Sequence, residues 1–192
     1  MSSSRPTSAE SDLGELITAR VRDIADYPHP GIVFKDITPL LADGDAFAAA
    51  VAALAAGHGE GGQGAGGWGR VDKVVGIEAR GFILAAPVAY SLGAGFVPVR
   101  KQGKLPAATN AESYQLEYGT ATIEVHTDAF EPGDRVLIVD DVLATGGTAA
   151  ATATLVRRGG AEVAAIAVLL ELSFLGGRSR LSGLEVRSLL AV

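Results

Sequence analysis

Cysteine is absent from the 192 residues, which excludes a disulfide framework, a thiolate nucleophile and every cysteine-based metal site. Histidine is scarce: His29, His58 and His126 are scattered and form no zinc-site spacing. Basic charge is in deficit, with 16 Lys and Arg against 22 Asp and Glu and a net charge of −6. That balance offers no footprint for nucleic acid or an anionic membrane. No apolar run reaches the length of a membrane-spanning helix. Residues Met1 to Asp12 are polar and Ser-rich and lack the apolar stretch of a signal peptide. The expectation is a soluble cytoplasmic protein. One domain spans residues 1–192, with a disordered tail over about residues 1–12.

A nucleotide-binding P-loop is also missing, because no Lys follows Gly147. Two overlapping G-x-G-x-x-G matches, Gly59-Gly61-Gly64 and Gly64-Gly66-Gly69, follow the Ala-rich run Ala48–Ala56 and precede the strand-like Val71–Ile77. A dinucleotide fingerprint has to follow a strand and open a helix. These glycines do neither, so Gly57–Gly69 reads as a flexible surface loop.

What is present is concentrated in Val136–Ala149, VLIVDDVLATGGTA. Four β-favouring apolar residues run into Asp140 and Asp141. The small loop Ala144-Thr145-Gly146-Gly147-Thr148 follows, and then a helical run from Ala149 to Arg158. In an open α/β sheet, ligands bind where strands end. Gly and Thr at a helix start present N–H groups and hydroxyls to a phosphate dianion, aided by the helix dipole. The carboxylates would repel a phosphate but accept hydrogen bonds from a vicinal diol. A ribose 5-phosphate meets both demands. The competing reading of the Asp pair is capping of the next helix.

A second strand, Val74–Ile77, runs into Glu78-Ala79-Arg80-Gly81, again before a helix. An Arg at a tight turn there can hold another anion. Arg100, Lys101 and Lys104 lie in a loop after the strand Gly95–Val99. Two anion sites flanking a diol site suit a sugar with phosphate at 5′ and pyrophosphate at 1′. A solvated basic loop is the alternative for Arg100, Lys101 and Lys104.

The remaining elements alternate. A helix is expected from near Leu13, capped by Ser11 or Asp12, with Leu13, Leu16, Ile17, Val21 and Ile24 on one face. Pro28 and Pro30 end it. Ile32–Phe34 is extended and Ile37–Leu41 irregular, followed by a helix over Ala46–Ala56 begun at Asp43 or Asp45. Strand Val71–Ile77, helix Gly81–Leu92 and strand Gly95–Val99 come next, then a loop from Lys101 to Asn110. Tyr114–Glu117 and Ala121–Val125 form a hairpin. After the motif helix come strand Glu162–Leu170, a short helical or turn segment Phe174–Leu181 and strand Leu184–Leu190. This alternation predicts the α/β class: a central parallel sheet flanked by helices, with the hairpin as an antiparallel insertion.

VLIVDDVLATGGTA resembles the phosphoribosyl pyrophosphate (PRPP) signature of type I phosphoribosyltransferases. DYPHPGIVFKDITPLL (Asp26–Leu41), GIEARGF (Gly76–Phe82), PVRKQGKLP (Pro98–Pro106) and ESYQLEYG (Glu112–Gly119) resemble, in order, segments of the adenine phosphoribosyltransferase family. The resemblance covers about Leu13 to Leu190. The longer, glycine-rich Gly57–Gly69 loop is its main departure.

The resemblance implies a type I phosphoribosyltransferase core with a small N-terminal hood over about residues 13–41. It implies transfer of the 5-phosphoribosyl group from PRPP to adenine, giving AMP and pyrophosphate. Ala144, Thr145, Gly146, Gly147 and Thr148 would hold the 5′-phosphate, and Asp140 and Asp141 the ribose hydroxyls. Glu78, Ala79, Arg80, Gly81, Arg100, Lys101 and Lys104 would meet the pyrophosphate. The first peptide bond of the Glu78–Gly81 loop is often cis in this family. Val33, Phe34 and Lys35 would form the adenine site, with Phe34 stacking on the purine; simple core packing is its competing role. Glu117, with Arg80, would be catalytic, Glu117 handling a purine proton from a flexible loop closed by Tyr118; a solvent-facing hairpin Glu is the alternative. Mg²⁺ would arrive on PRPP, with no direct protein ligands, and the assembly would be a homodimer. Another purine phosphoribosyltransferase, acting on hypoxanthine, guanine or xanthine, and a non-catalytic PRPP-sensing regulator are the alternative functions.

Overall fold

The computed structural model describes residues 8–57, 67–115 and 119–192, which divide into two compact units, Met1–Val51 and Ala52–Val192. The first unit contains helix α1 (Ser8–Thr18), strands β1 (Arg22–Ala25) and β2 (Val33–Asp36), helix α2 (Thr38–Ala42) and most of helix α3 (Gly44–Ala56). Three boundaries differ from the sequence expectation. Helix α1 starts before Leu13 and ends at Thr18, so Val21 and Ile24 are not on it. Ile24 belongs to β1, paired antiparallel with β2 in the register Arg22↔Asp36 and Ile24↔Phe34. Thr38–Ala42 is helical rather than irregular, because Pro39 sits in the first turn, where its missing N–H costs no hydrogen bond. Asp43 starts α3, its Oδ1 accepting from the N–H groups of Asp45 and Ala46.

In the second unit, strands β3 (Lys73–Ile77), β4 (Gly95–Lys101), β5 (Thr109–Gln115), β6 (Thr120–His126), β7 (Arg135–Leu143), β8 (Glu162–Glu171) and β9 (Val186–Ala191) form one sheet in the order β5-β6-β4-β3-β7-β8-β9. Strands β4, β3, β7, β8 and β9 run parallel, while β6 pairs antiparallel with both β4 and β5. Val136–Val139 is fully buried, as a central parallel strand requires. Helix α4 (Arg80–Leu92) crosses from β3 to β4, and α5 (Gly147–Arg158) crosses from β7 to β8 in the opposite sense. Right-handed crossovers in opposite senses place them on opposite faces of the sheet. Two 3₁₀ turns, Ser173–Leu175 and Gly177–Leu181, lead into β9.

Here β3 and β9 start two residues later than expected, at Lys73 and Val186, while other strands run longer. Thr109 and Asn110, predicted as loop, pair with His126 and Val125. Lys101 is the last residue of β4, and β7 continues through the Asp pair to Leu143. Of the Gly57–Gly69 loop, residues 58–66 lie outside the described residues. Its C-terminal flank is anchored by Trp68, which is buried and donates from Nε1 to the Leu54 carbonyl at 3.0 Å.

Candidate active site

Among the five parallel strands, chain direction outward from the centre reverses between β3 and β7. Such a switch point leaves a crevice beyond the carboxyl ends of the two strands. The loops expected to bind ligand leave from these two ends. Glu78 follows β3 directly, and Asp140 to Thr148 spans the end of β7 and the start of α5.

The two loops are in contact. A methyl group on Gly81 would stand 2.6 Å from Asp140 Oδ1 and 3.2 Å from the Val139 carbonyl, so only glycine lets α4 begin this close to β7. Arg80 Nη2 forms an ion pair with Asp141 Oδ2 at 2.7 Å. Asp140 Oδ1 accepts from the Asp141 N–H at 3.0 Å. Desolvation, and then the neighbouring Asp141 charge, push the Asp140 carboxyl well above the usual carboxylate range. Asp141 is raised as well, chiefly by desolvation, with Arg80 opposing the rise.

Beyond the Asp pair, Val142–Ala149 lines a cavity of ≈ 70 Å³ together with Asp140 and Val168. Gly146, at φ +78°, turns the chain into α5 in a left-handed conformation that favours glycine. The loop therefore meets the N-terminus of a twelve-residue helix, where unpaired N–H groups favour an anion. Tyr114 of β5 lies against this turn, since a methyl group on Gly147 would come within 3.0 Å of its ring.

On the other side, the Glu78–Ala79 peptide bond is cis. Glu78 gathers the basic residues predicted near it. Its Oε2 accepts from Arg100 Nε at 3.2 Å and from the Lys101 N–H at 3.0 Å, and Lys104 Nζ lies 3.2 Å from its Oε1. Burial alone would raise the Glu78 carboxyl, but the Lys101 and Lys104 hydrogen bonds and the adjacent cations hold it below its ordinary value.

A Phosphoribosyl transferase domain model matches residues 40–182. The chain is 65% identical to the adenine phosphoribosyltransferase of Acidothermus cellulolyticus over 182 residues, covering 95% of this chain and 98% of that one. It is 60% identical to that of Streptomyces coelicolor, covering 93% and 96%. The chain belongs to the adenine phosphoribosyltransferase family. The crystal structure of a Rhodothermus marinus adenine phosphoribosyltransferase superposes with a TM-score of 0.86 at 53% identity, covering 95% of this chain and 99% of that one. The Saccharomyces cerevisiae adenine phosphoribosyltransferase, complexed with an imino-altritol bisphosphate and adenine, gives 0.84 at 34% identity, covering 94% and 99%.

The segment that this phosphoribosyltransferase was expected to use for the base lies in the first unit. Phe34 lines a cavity of ≈ 240 Å³ with Ile24, Tyr27 and Asp36. Tyr27 packs edge-on against Phe34, with ring centroids 5.2 Å apart. Val33 is half exposed, and Lys35 is ion-paired with Asp23 at 2.7 Å. Sequence reasoning missed Ile24, Tyr27 and Asp36. Arg22-Asp23-Ile24-Ala25 carries no alternation that could have found them; pairing of β1 with β2 sets Ile24 opposite Phe34. Asp36 accepts from Thr38 N–H and Oγ1 and pairs with Arg22; the Thr38 hydrogen bonds lower its carboxyl to about 2. Glu117 and Tyr118 lie outside the described residues.

Proposed function

We propose that this adenine phosphoribosyltransferase transfers the 5-phosphoribosyl group of PRPP to N9 of adenine, in purine salvage, through the residues gathered at the β3–β7 switch point. The contact between the two loops supports this reading: Gly81 lies against Asp140 and Arg80 pairs with Asp141, so the turn read as the anion site adjoins the carboxylates read as the diol site. The 5′-phosphate takes the N–H groups and hydroxyls of Ala144–Thr148. The ribose hydroxyls donate to Asp140 and Asp141. The pyrophosphate takes Arg80, Arg100, Lys101 and Lys104.

Displacement at C1′ has oxocarbenium character, so bond breaking to pyrophosphate leads and negative charge develops on the leaving group. Arg80 and the basic cluster on Glu78 meet that charge in fixed positions. Among the described residues no group of three or more His, Asp or Glu could hold a metal, and Glu78 is already committed to Arg100 and Lys104. In this reading Mg²⁺ would arrive on PRPP, where it would neutralise pyrophosphate charge beside Arg80, Arg100 and Lys104. Phe34 stacks on adenine, and backbone groups near Val33 and Lys35 read its edge. Glu117 handles the purine proton, and Tyr118 closes the loop.

A homodimer is part of this reading. Ile83 and Tyr90 of α4 and Phe96 of β4 are large apolar side chains left exposed, with Tyr90 89% exposed. An active monomer at micromolar concentration in analytical ultracentrifugation would contradict it.

A spectrophotometric panel of purine bases with PRPP and Mg²⁺ tests the function. Adenine should be converted, with hypoxanthine and guanine slower by about a hundredfold or more, because a mismatched edge leaves buried polar groups unpaired. Comparable rates with guanine would overturn the adenine assignment. PRPP binding without turnover of any base would indicate a regulator instead.

A further inference from the structure

Behind the loop Ala144–Gly146 the chain passes a second time. A methyl group on Gly146 would overlap the Gly177 carbonyl oxygen and approach its carbon to 3.0 Å. A methyl group on Gly177 would overlap the Ala144 carbonyl oxygen and stand 2.9 Å from the Gly146 nitrogen. Two backbones therefore touch with no side chain between them, and the position of Gly177 sets that of the loop.

Gly177 opens a 3₁₀ turn too short to hold itself in place. Its neighbour Arg178 does the holding. Arg178 Nε and Nη2 donate to the two carboxylate oxygens of Glu171 at 3.0 and 2.5 Å, and Nη1 donates to the Val186 carbonyl at 2.7 Å. Glu171, the last residue of β8, is only 8% exposed, and its Oε2 also accepts from Ser188 Oγ of β9 at 2.9 Å. The next N–H, that of Leu172, donates to the carbonyl of Leu143, the residue before the loop, at 2.9 Å. One frame thus ties β7, β8, β9 and the 3₁₀ turn together at the loop.

We propose that Glu171 and Arg178 are positioning residues for the 5′-phosphate: their bidentate pair, braced by Ser188, seats Gly177 against Ala144–Gly146 and fixes the phosphate-binding amides. The proposal rests on the reading of Ala144–Thr148 as the 5′-phosphate loop. A bidentate guanidinium–carboxylate pair fixes orientation as well as distance, which a lysine could not do. Arg178 is half exposed but Glu171 is buried, so breaking the pair leaves a buried group short of a partner and costs stability as well as geometry. The Arg178 hydrogen bonds also hold the Glu171 carboxyl below its ordinary value, so the pair is charged throughout the neutral range.

The test uses the full chain and four variants: Glu171→Gln, Arg178→Lys, Ser188→Ala and Gly177→Ala. Steady-state kinetics give KM for PRPP and for adenine; calorimetry gives the affinities for AMP and adenosine. Glu171→Gln and Arg178→Lys should raise KM for PRPP about tenfold and reduce the AMP-over-adenosine preference by a similar factor, since sub-ångström displacement of binding groups is enough. KM for adenine should stay near wild type even where the unfolding midpoint falls, and Ser188→Ala should show a smaller PRPP-selective effect of the same kind. Gly177→Ala leaves the ion pair in place but drives a methyl into the loop, so it should show the same PRPP-selective loss even if Glu171→Gln does not fold. A lowered midpoint with unchanged KM for PRPP and unchanged AMP preference would make the pair merely structural and overturn the proposal. A wild-type protein with no preference for AMP over adenosine would instead overturn the phosphate-loop reading, and the proposal with it.

Discussion

Gly81→Ala tests the contact on which the site depends. The added methyl would stand 2.6 Å from Asp140 Oδ1 and 3.2 Å from the Val139 carbonyl. Neither neighbour yields easily: Oδ1 is held by the Asp141 N–H, and the Val139 carbonyl belongs to a central strand. Restoring ordinary van der Waals separation requires α4 and Asp140 to part by about 0.8 Å, on the scale at which misplacement costs two orders of magnitude in rate. We therefore expect kcat/KM for PRPP to fall about a hundredfold. Overpacking of this kind destabilises by about 1–3 kcal/mol. Each kcal/mol lowers the midpoint of a chain this long by about 2–4 °C. The assay is conversion of adenine to AMP over a PRPP titration, with differential scanning calorimetry on the same preparation. A Gly81→Ala protein with wild-type Tm and wild-type kcat/KM would refute the claim that the two loops are set by this approach.

Asp140→Asn should weaken PRPP binding strongly. It should also change the pH dependence of stability. A carboxyl raised in the folded state gives its stability below the unfolded carboxyl value and loses it as pH rises through the folded value, so the variant should remove a decline in Tm that begins as pH rises out of the ordinary carboxylate range. A wild-type Tm–pH profile for the variant would contradict the assigned environment. Glu78→Gln should raise KM for PRPP about tenfold, because Arg100, Lys104 and the Lys101 amide lose the carboxylate charge and one of its two acceptor oxygens; an unchanged KM would show that the basic cluster positions itself. Glu117→Leu should lower turnover by about a hundredfold or more with PRPP binding little changed, and near-normal turnover would leave this loop a lid only.

The strand–carboxylate–glycine–helix order of Val136–Arg158 was readable because each part has its own local signature. The end of its strand was not. Aspartate is disfavoured in strands, yet Asp140 pairs with Val168 and Val142 with Leu170, and pairing across the sheet overrides local preference. The same override turned Thr109 and Asn110, small polar residues read as loop, into part of β5. At the N-terminus, Val21 and Ile24 continue a helical face by spacing. Two residues three apart cannot separate a helix from a four-residue strand, and partnership with β2 decided it. The Glu171–Arg178 frame left no sequence signal, because it acts on a loop thirty residues away through a contact between two glycines that no periodicity records.

The neighbours β3 and β7 are close in space and far apart along the chain: Lys73 pairs with Val136 and Gly76 with Val139. Neither half of the crevice can exist as a peptide, nor can it survive partial melting of the sheet. For this enzyme, occupancy and foldedness are one equilibrium. A ligand spanning both loops at a hundredfold excess over its Kd would add about 2.7 kcal/mol to the unfolding free energy. A substitution remote from the crevice that loosens β3 from β7 would then lower the unliganded Tm and weaken the ligand-induced rise together.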